Sequence, residues 1–162
     1  SIDFGATAAA FTGDDSADFT VEFEPSATAL EKQGAGYVVA SLGVDSGYVP
    51  YTSYSAKTSY MEKNPDIMQK FTDALQKGMD YVQSHTPEEI AEVIEPQFPE
   101  TDLDTITAIV KRYYDQDTWK EHLVFGQDGF ELLQDILEDA GELKERTPYA
   151  ELVNTEFAQN AS

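Results

Sequence analysis

The sequence contains no cysteine. Disulfides, a thiol nucleophile and thiolate-held metals are thereby excluded, although this alone does not reveal the compartment. Basic residues are scarce: 10 Lys and Arg stand against 31 Asp and Glu, a formal charge of −21 on 162 residues. A surface of that sign repels phosphate, which argues against nucleic acids and anionic membranes as partners. Long apolar runs are missing too, and none approaches the roughly 20 residues that cross a bilayer as a helix. The opening Ser1-Ile2-Asp3-Phe4 carries neither the basic start nor the apolar stretch of a secretory leader. With no element before its first pattern, the chain reads as a fragment of something longer. What is present is 41% apolar and 12% aromatic residues, enough to build a packed core at a length that suits one domain.

The chain changes character once, near Thr58, and holds no internal repeat. Before that point it is rich in Gly, Ala, Ser and Thr. Phe19-Thr20-Val21-Glu22-Phe23 alternates as a strand with one apolar face. Pro25 and Ser26 open a short helix over Ala27 to Gln33, which Gly34 ends because glycine accepts the left-handed conformation past a helix. Gly36 to Leu42 is a continuous apolar run, the pattern of a strand buried on both faces. Strand, helix, strand predicts a βαβ unit and hence an α/β fold.

Helical periodicity governs the rest. Asn64 and Pro65 begin a helix whose stripe is Ile67, Met68, Phe71, Leu75, Met79 and Val82. Thr86-Pro87-Glu88-Glu89 is a capping box opening a second helix, which buries Ile90, Val93 and Ile94 and stops before Pro96. A third helix starts at Thr101 or Asp102 with Leu103, Ile106, Ile109, Val110 and Tyr113. A fourth runs from Asp128 to Gly141 with Phe130, Leu133, Ile136 and Leu137. A fifth starts at Thr147-Pro148 with Leu152, Val153 and Phe157.

No catalytic set can be assembled. His85 and His122 sit on separate segments without ligand spacing and read as surface residues. No nucleophile elbow, phosphate loop or dinucleotide fingerprint occurs. The paired carboxylates Asp14-Asp15, Glu88-Glu89 and Glu138-Asp139 follow from acid-rich composition and helix starts. Asp14 to Asp18 lacks the alternating ligands and closing glutamate of a calcium loop.

Two segments could instead hold a ligand. Tyr48, Tyr51, Tyr54 and Tyr60, with Pro50, Thr52 and Ser53, read either as a loop with a half-buried strand or as an aromatic wall that stacks on a small organic molecule. Phe23-Glu24-Pro25-Ser26-Ala27-Thr28 delivers a strand end into a helix N-terminus, a place that attracts anionic groups, or else Ser26 simply caps the helix.

The run Gly13 to Thr28, the block Gly36 to Gly43, Val49-Pro50-Tyr51-Thr52 and Asn64-Pro65-Asp66, followed by Phe71, Ala74 and Gly78, together resemble a known family. They are similar to the carboxyl-terminal half of the substrate-binding proteins of ATP-driven (ABC) importers, in the branch that takes aliphatic sulfonates, taurine, nitrate and thiamine pyrimidines. The resemblance covers essentially the whole chain and is strongest from Asp18 to Gly78. It implies a two-lobed periplasmic-binding-protein fold of type II with the amino-terminal half absent. Residues 1–43 would be the last part of the second lobe, 44–57 a crossing segment, and 58–162 the helical completion of the first lobe. Glu24, Pro25, Ser26 and Thr28 match the family's strand-to-helix junction, and Tyr51, Thr52 and Tyr54 its return segment; these are the candidate ligand-binding residues. The implied function is capture of a small anionic or heteroaromatic organic solute, outside the cytoplasm and without turnover. No catalytic residue, cofactor or metal is expected. The implied partners are that solute and the permease and ATPase subunits of an importer, with self-association of the truncated chain to cover exposed core surface. The alternatives are an enzyme related to thiamine-pyrimidine synthesis and an acidic helical interaction domain.

Overall fold

The computed structural model describes residues 3–162; Ser1 and Ile2, half of the opening on which the leader and fragment expectations rest, lie outside the described residues. A 3-10 turn, Phe4–Ala6, leads into α1 (Thr7–Gly13), α2 (Ser26–Lys32), α3 (Leu42–Asp45), α4 (Thr58–Lys63), α5 (Pro65–Ser84) and α6 (Pro87–Ile94). After a second 3-10 turn, Glu95–Gln97, come α7 (Leu103–Asp115), α8 (Gln127–Asp139), α9 (Tyr149–Leu152) and α10 (Glu156–Gln159).

Among the described residues there is no strand. This overturns the α/β expectation, and with it the two-lobed periplasmic-binding-protein architecture and the strand–helix–strand unit assigned to residues 1–43. The physical reason is visible in the two segments concerned. Alternation specifies an extended backbone, but a strand also needs a neighbour for its ladder. In Phe19–Phe23 the polar residues turn inward: the Thr20 hydroxyl donates to Glu22 Oε1 at 2.8 Å and the Thr7 hydroxyl to Glu22 Oε2 at 3.1 Å. In the run after Gly36, the Val38 N–H donates to the Glu31 carboxylate at 3.0 Å, and the Ser41 hydroxyl to Gln116 Oε1 at 2.9 Å. Tyr37, Val38 and Val39 are exposed, not buried on both faces, and Leu42 already begins α3.

The chain divides into two compact units. One combines the residues up to Ser41 with Thr86–Gln116, and the other Leu42–His85 with Asp117–Ser162. In the first unit α6 packs on α7, and α2 also rests on α7. Among the described residues, its buried apolar side chains are Leu30, Ile90, Ala91, Ile106 and Val110. Local signals place these helices. Thr86 and Glu89 form the reciprocal capping box of α6, with the Thr86 N–H donating to Glu89 Oε2 at 2.9 Å. Asp102 caps α7 by accepting the Thr105 N–H at 2.9 Å. Past α2, Gly34 takes φ +70°, so that its N–H reaches the Glu31 carbonyl and the Ala35 N–H the Leu30 carbonyl, both pairings of a Schellman ending.

In the second unit α5 is flanked by α4 and α10, and α9 packs on α8. The expected stripe of α5 is only partly covered: Met68, Leu75, Met79 and Val82 are half-buried, Ile67 and Phe71 exposed. Its one buried side chain is Gln76, whose amide donates to Asp80 at 2.9 Å and to the Glu121 carbonyl at 2.7 Å. The buried apolar anchor is Phe130 of α8, which meets Phe125 and Tyr149 edge-on at centroid distances of 6.3 and 5.6 Å. The fifth expected helix is broken in two, because Val153 turns extended between α9 and α10.

Candidate functional site

In the first unit, Glu24 stands immediately before α2 and folds its side chain over the helix start. Oε2 accepts the Thr28 N–H and Oε1 the Thr28 hydroxyl, each at 3.0 Å. The α2 cap residue is Pro25, joined to Glu24 by a cis peptide bond, and Ser26 is the first helical residue rather than a side-chain cap. The Ala27 N–H is taken by the Phe23 carbonyl at 3.1 Å. The helix start is thus occupied by a carboxylate of the chain itself.

That carboxylate is held from the other side by Arg112 of α7. Its Nη1 donates to Glu24 Oε1 at 2.6 Å, while Nη2 donates to Glu31 Oε2 at 2.5 Å. The Glu24 side chain is only 5% exposed, so this ion pair is largely removed from water. Glu31 lies about one turn past Thr28 in α2; the Val38 N–H, and after it Arg112, hold its carboxyl below the ordinary range. At the far end of α2, Lys32 donates to the Thr105 hydroxyl and pairs with Asp102 at 3.6 Å. Asp102 is itself lowered, first by the Thr105 hydroxyl and then by the Thr105 N–H. Glu24 and Thr28 are therefore brought together by a network that also includes Arg112 and Glu31; Pro25 and Ser26 flank it, and Pro25 is exposed. Arg112 was not legible as a site residue. Its partners lie more than 80 residues away, and the one available hint is that a guanidinium among the apolar positions of a helix is conspicuous in so cation-poor a chain.

In the second unit, Tyr51, Thr52 and Tyr54 lie on the irregular stretch between α3 and α4, where residues 51–57 are all exposed. The Tyr54 ring meets Phe71 of α5 edge-to-face at 5.2 Å. Tyr48 is anchored more firmly. Its hydroxyl donates to Asp117 Oδ2 at 2.8 Å, and the Lys120 ammonium stands 3.6 Å over its ring centroid while pairing with the same Asp117. Lys120 and then Tyr48 hold the Asp117 carboxyl below the ordinary range. Asp117 has φ +56°, a turn conformation that aspartate tolerates better than most side chains. Tyr60 lies in α4, outside this cluster.

His85 stacks on Tyr81 at 3.6 Å between ring centroids, and its Nδ1 lies 2.8 Å from the Tyr81 carbonyl. Among the described residues no group of three or more His, Asp or Glu is placed to hold a metal ion, and no helix is long and apolar enough to cross a membrane.

No family model matches the chain. No solved structure matches it either. The sequence is 39% identical over 161 residues, 99% of its length, to a protein of Bacillus subtilis (strain 168) described as "Putative binding protein YtlA". The chain spans about half of that relative, 48% of its length. That description gives a binding role to the relative, and neither the sulfonate–nitrate–thiamine family nor a transport system follows from it.

Proposed function

We propose that the chain is part of a solute-binding protein that captures a small organic molecule and delivers it, unaltered, to the permease and ATPase of an importer, outside the cytoplasm. The observation that carries this reading is the 39% identity, along 99% of the chain, to a protein whose name gives it a binding role. Two features support the solute chemistry. Tyr51 and Tyr54 are exposed on a segment without regular structure, where a flat heteroaromatic molecule can stack on their rings. The start of α2, by contrast, is filled by Glu24, so the helix end offers little to an anion. Of the solutes that the family resemblance implies, the heteroaromatic ones are therefore the better fit.

The test is calorimetry with a thiamine pyrimidine, riboflavin, taurine and nitrate, on the chain and on Tyr51→Ala and Tyr54→Ala. The expected result is a heat of binding with one of the heteroaromatic compounds and none with nitrate. Its affinity should fall at least tenfold in one tyrosine variant, with the compound recovered unchanged. Binding of nitrate alone, binding indifferent to both substitutions, or turnover of the compound would overturn the reading.

A further inference from the structure

Gly129 stands in the first turn of α8, in the second unit, although glycine is a poorer helix former than alanine or leucine. What lies over it explains its place. A Cβ there would stand 3.0 Å from the Tyr48 carbonyl oxygen and 3.4 Å from Pro50 Cδ, so the backbone of residues 48–50 rests directly on the helix. Gly78, by contrast, lies inside α5 with open space where a Cβ would go. Further contacts hold the same stretch. Gly47 turns at φ +78° beside Leu132 of α8. The Tyr48 hydroxyl is tied to Asp117, and Lys120, paired with that same carboxylate, covers the Tyr48 ring. Beyond Pro50, Tyr54 meets Phe71 of α5 edge-to-face. The irregular, exposed stretch that carries Tyr51 and Tyr54 is therefore fastened to α8 on one side and to α5 on the other. A backbone fastened in this way has less freedom left to lose when a ligand binds.

We propose that Gly129, Tyr48 and Asp117 are positioning residues of the tyrosine site: by seating residues 47–50 on α8 they fix where Tyr51 and Tyr54 present their rings to a heteroaromatic solute. Gly129 acts by the side chain it lacks, Asp117 by holding the Tyr48 hydroxyl, and none of the three has to touch the solute. This rests on the reading of Tyr51 and Tyr54 as stacking residues, and adds what holds them in place.

The test compares Gly129→Leu and Tyr48→Phe with Gly78→Leu, the same exchange in a helix where nothing is displaced. Double electron–electron resonance between nitroxides on Ser53→Cys and Asp139→Cys reads where the segment lies, and the chain has no cysteine of its own to take a label. The distance distribution should shift by about 2 Å or broaden in Gly129→Leu, because carbon contacts settle at roughly 3.5–4 Å and leucine adds three carbons beyond its Cβ. It should broaden in Tyr48→Phe and stay unchanged in Gly78→Leu. In the unlabelled proteins, calorimetry with a thiamine pyrimidine and riboflavin should give an affinity about tenfold lower in Gly129→Leu, since binding must then order the segment. Circular dichroism should show the helices retained; if Gly129→Leu fails to fold, Tyr48→Phe, which removes one oxygen, decides. A distribution unchanged in both variants would overturn the proposal whether or not a compound binds. A changed distribution with affinity unaltered would mean that the seat does not serve the rings, and would overturn it too. Should the parent chain bind neither compound, the solute reading falls, while the distances still decide whether the segment is seated.

Discussion

Arg112 serves two carboxylates at once, Glu24 and Glu31, in a chain with three acids for every base. The Glu24 side chain is the more buried partner, so removing the cation leaves a charge with little access to water. Breaking a buried pair from one side costs about 3–5 kcal/mol, and because the guanidinium is itself partly exposed the lower end applies to Arg112→Met, about 3 kcal/mol. Urea denaturation followed by circular dichroism measures this. A loss under about 1 kcal/mol would mean that the pair is held no more firmly than an exposed one. What sequence could say about this site divides along the same line. Glu24, Ser26 and Thr28 stood out because a helix start has local signals. Arg112 did not, because an ion pair closed across 88 positions leaves no spacing to read. The tyrosines after α3 were visible as a cluster, but Tyr48 turning to Asp117 and Lys120, and Tyr54 to Phe71, depend on tertiary neighbours.

Helices whose ends carry capping residues were the legible elements. The α6 capping box, the Asp102 cap of α7 and the glycine endings at Gly34 and Gly141 all lie where local chemistry puts them. Thr86→Ala removes the hydroxyl that accepts the Glu89 N–H and should cost about 1 kcal/mol. Thermal melts of that variant, with Thr86→Ser as a rescue, check the assignment; equal losses in both variants would mean that the box does not stabilise α6. The extended segments failed for the opposite reason. Alternation at Phe19–Phe23 and the apolar run after Gly36 predict strands, yet pairing is a property of two segments, and neither segment finds a ladder here. Stripe positions were also legible without their depth. Phe71 sits on the expected face of α5, but its ring is 43% exposed beside Tyr54, so a periodic pattern identified the side without telling how much covers it.

At the scale of the molecule, the charge of −21 and the lowered carboxyls act on stability in opposite directions as pH falls. Glu31, Asp102 and Asp117 have folded values depressed below their ordinary 4.5, 3.8 and 3.8. Their contribution is complete above those ordinary values and is lost as pH drops through the depressed ones. Protonation of the many other carboxylates meanwhile relieves self-repulsion. The melting temperature should therefore hold or rise from neutral pH to about pH 5 and fall only below about pH 4. Calorimetric scans across that range decide it, and a decline beginning above pH 5 would contradict the assignment of these groups.

The first unit is interrupted in sequence: its α2 precedes residue 42 and its α6 and α7 follow residue 85, with much of the second unit strung between. During synthesis the ribosome therefore releases α2 well before the arginine that neutralises Glu24 exists. Closing a loop of about 40 residues costs roughly 3 kcal/mol of chain entropy, which only the later helices can repay. Until α7 emerges, the nascent first unit is an acidic, unfinished segment with its rings in water, and its folding must wait on the order of translation rather than on its own length.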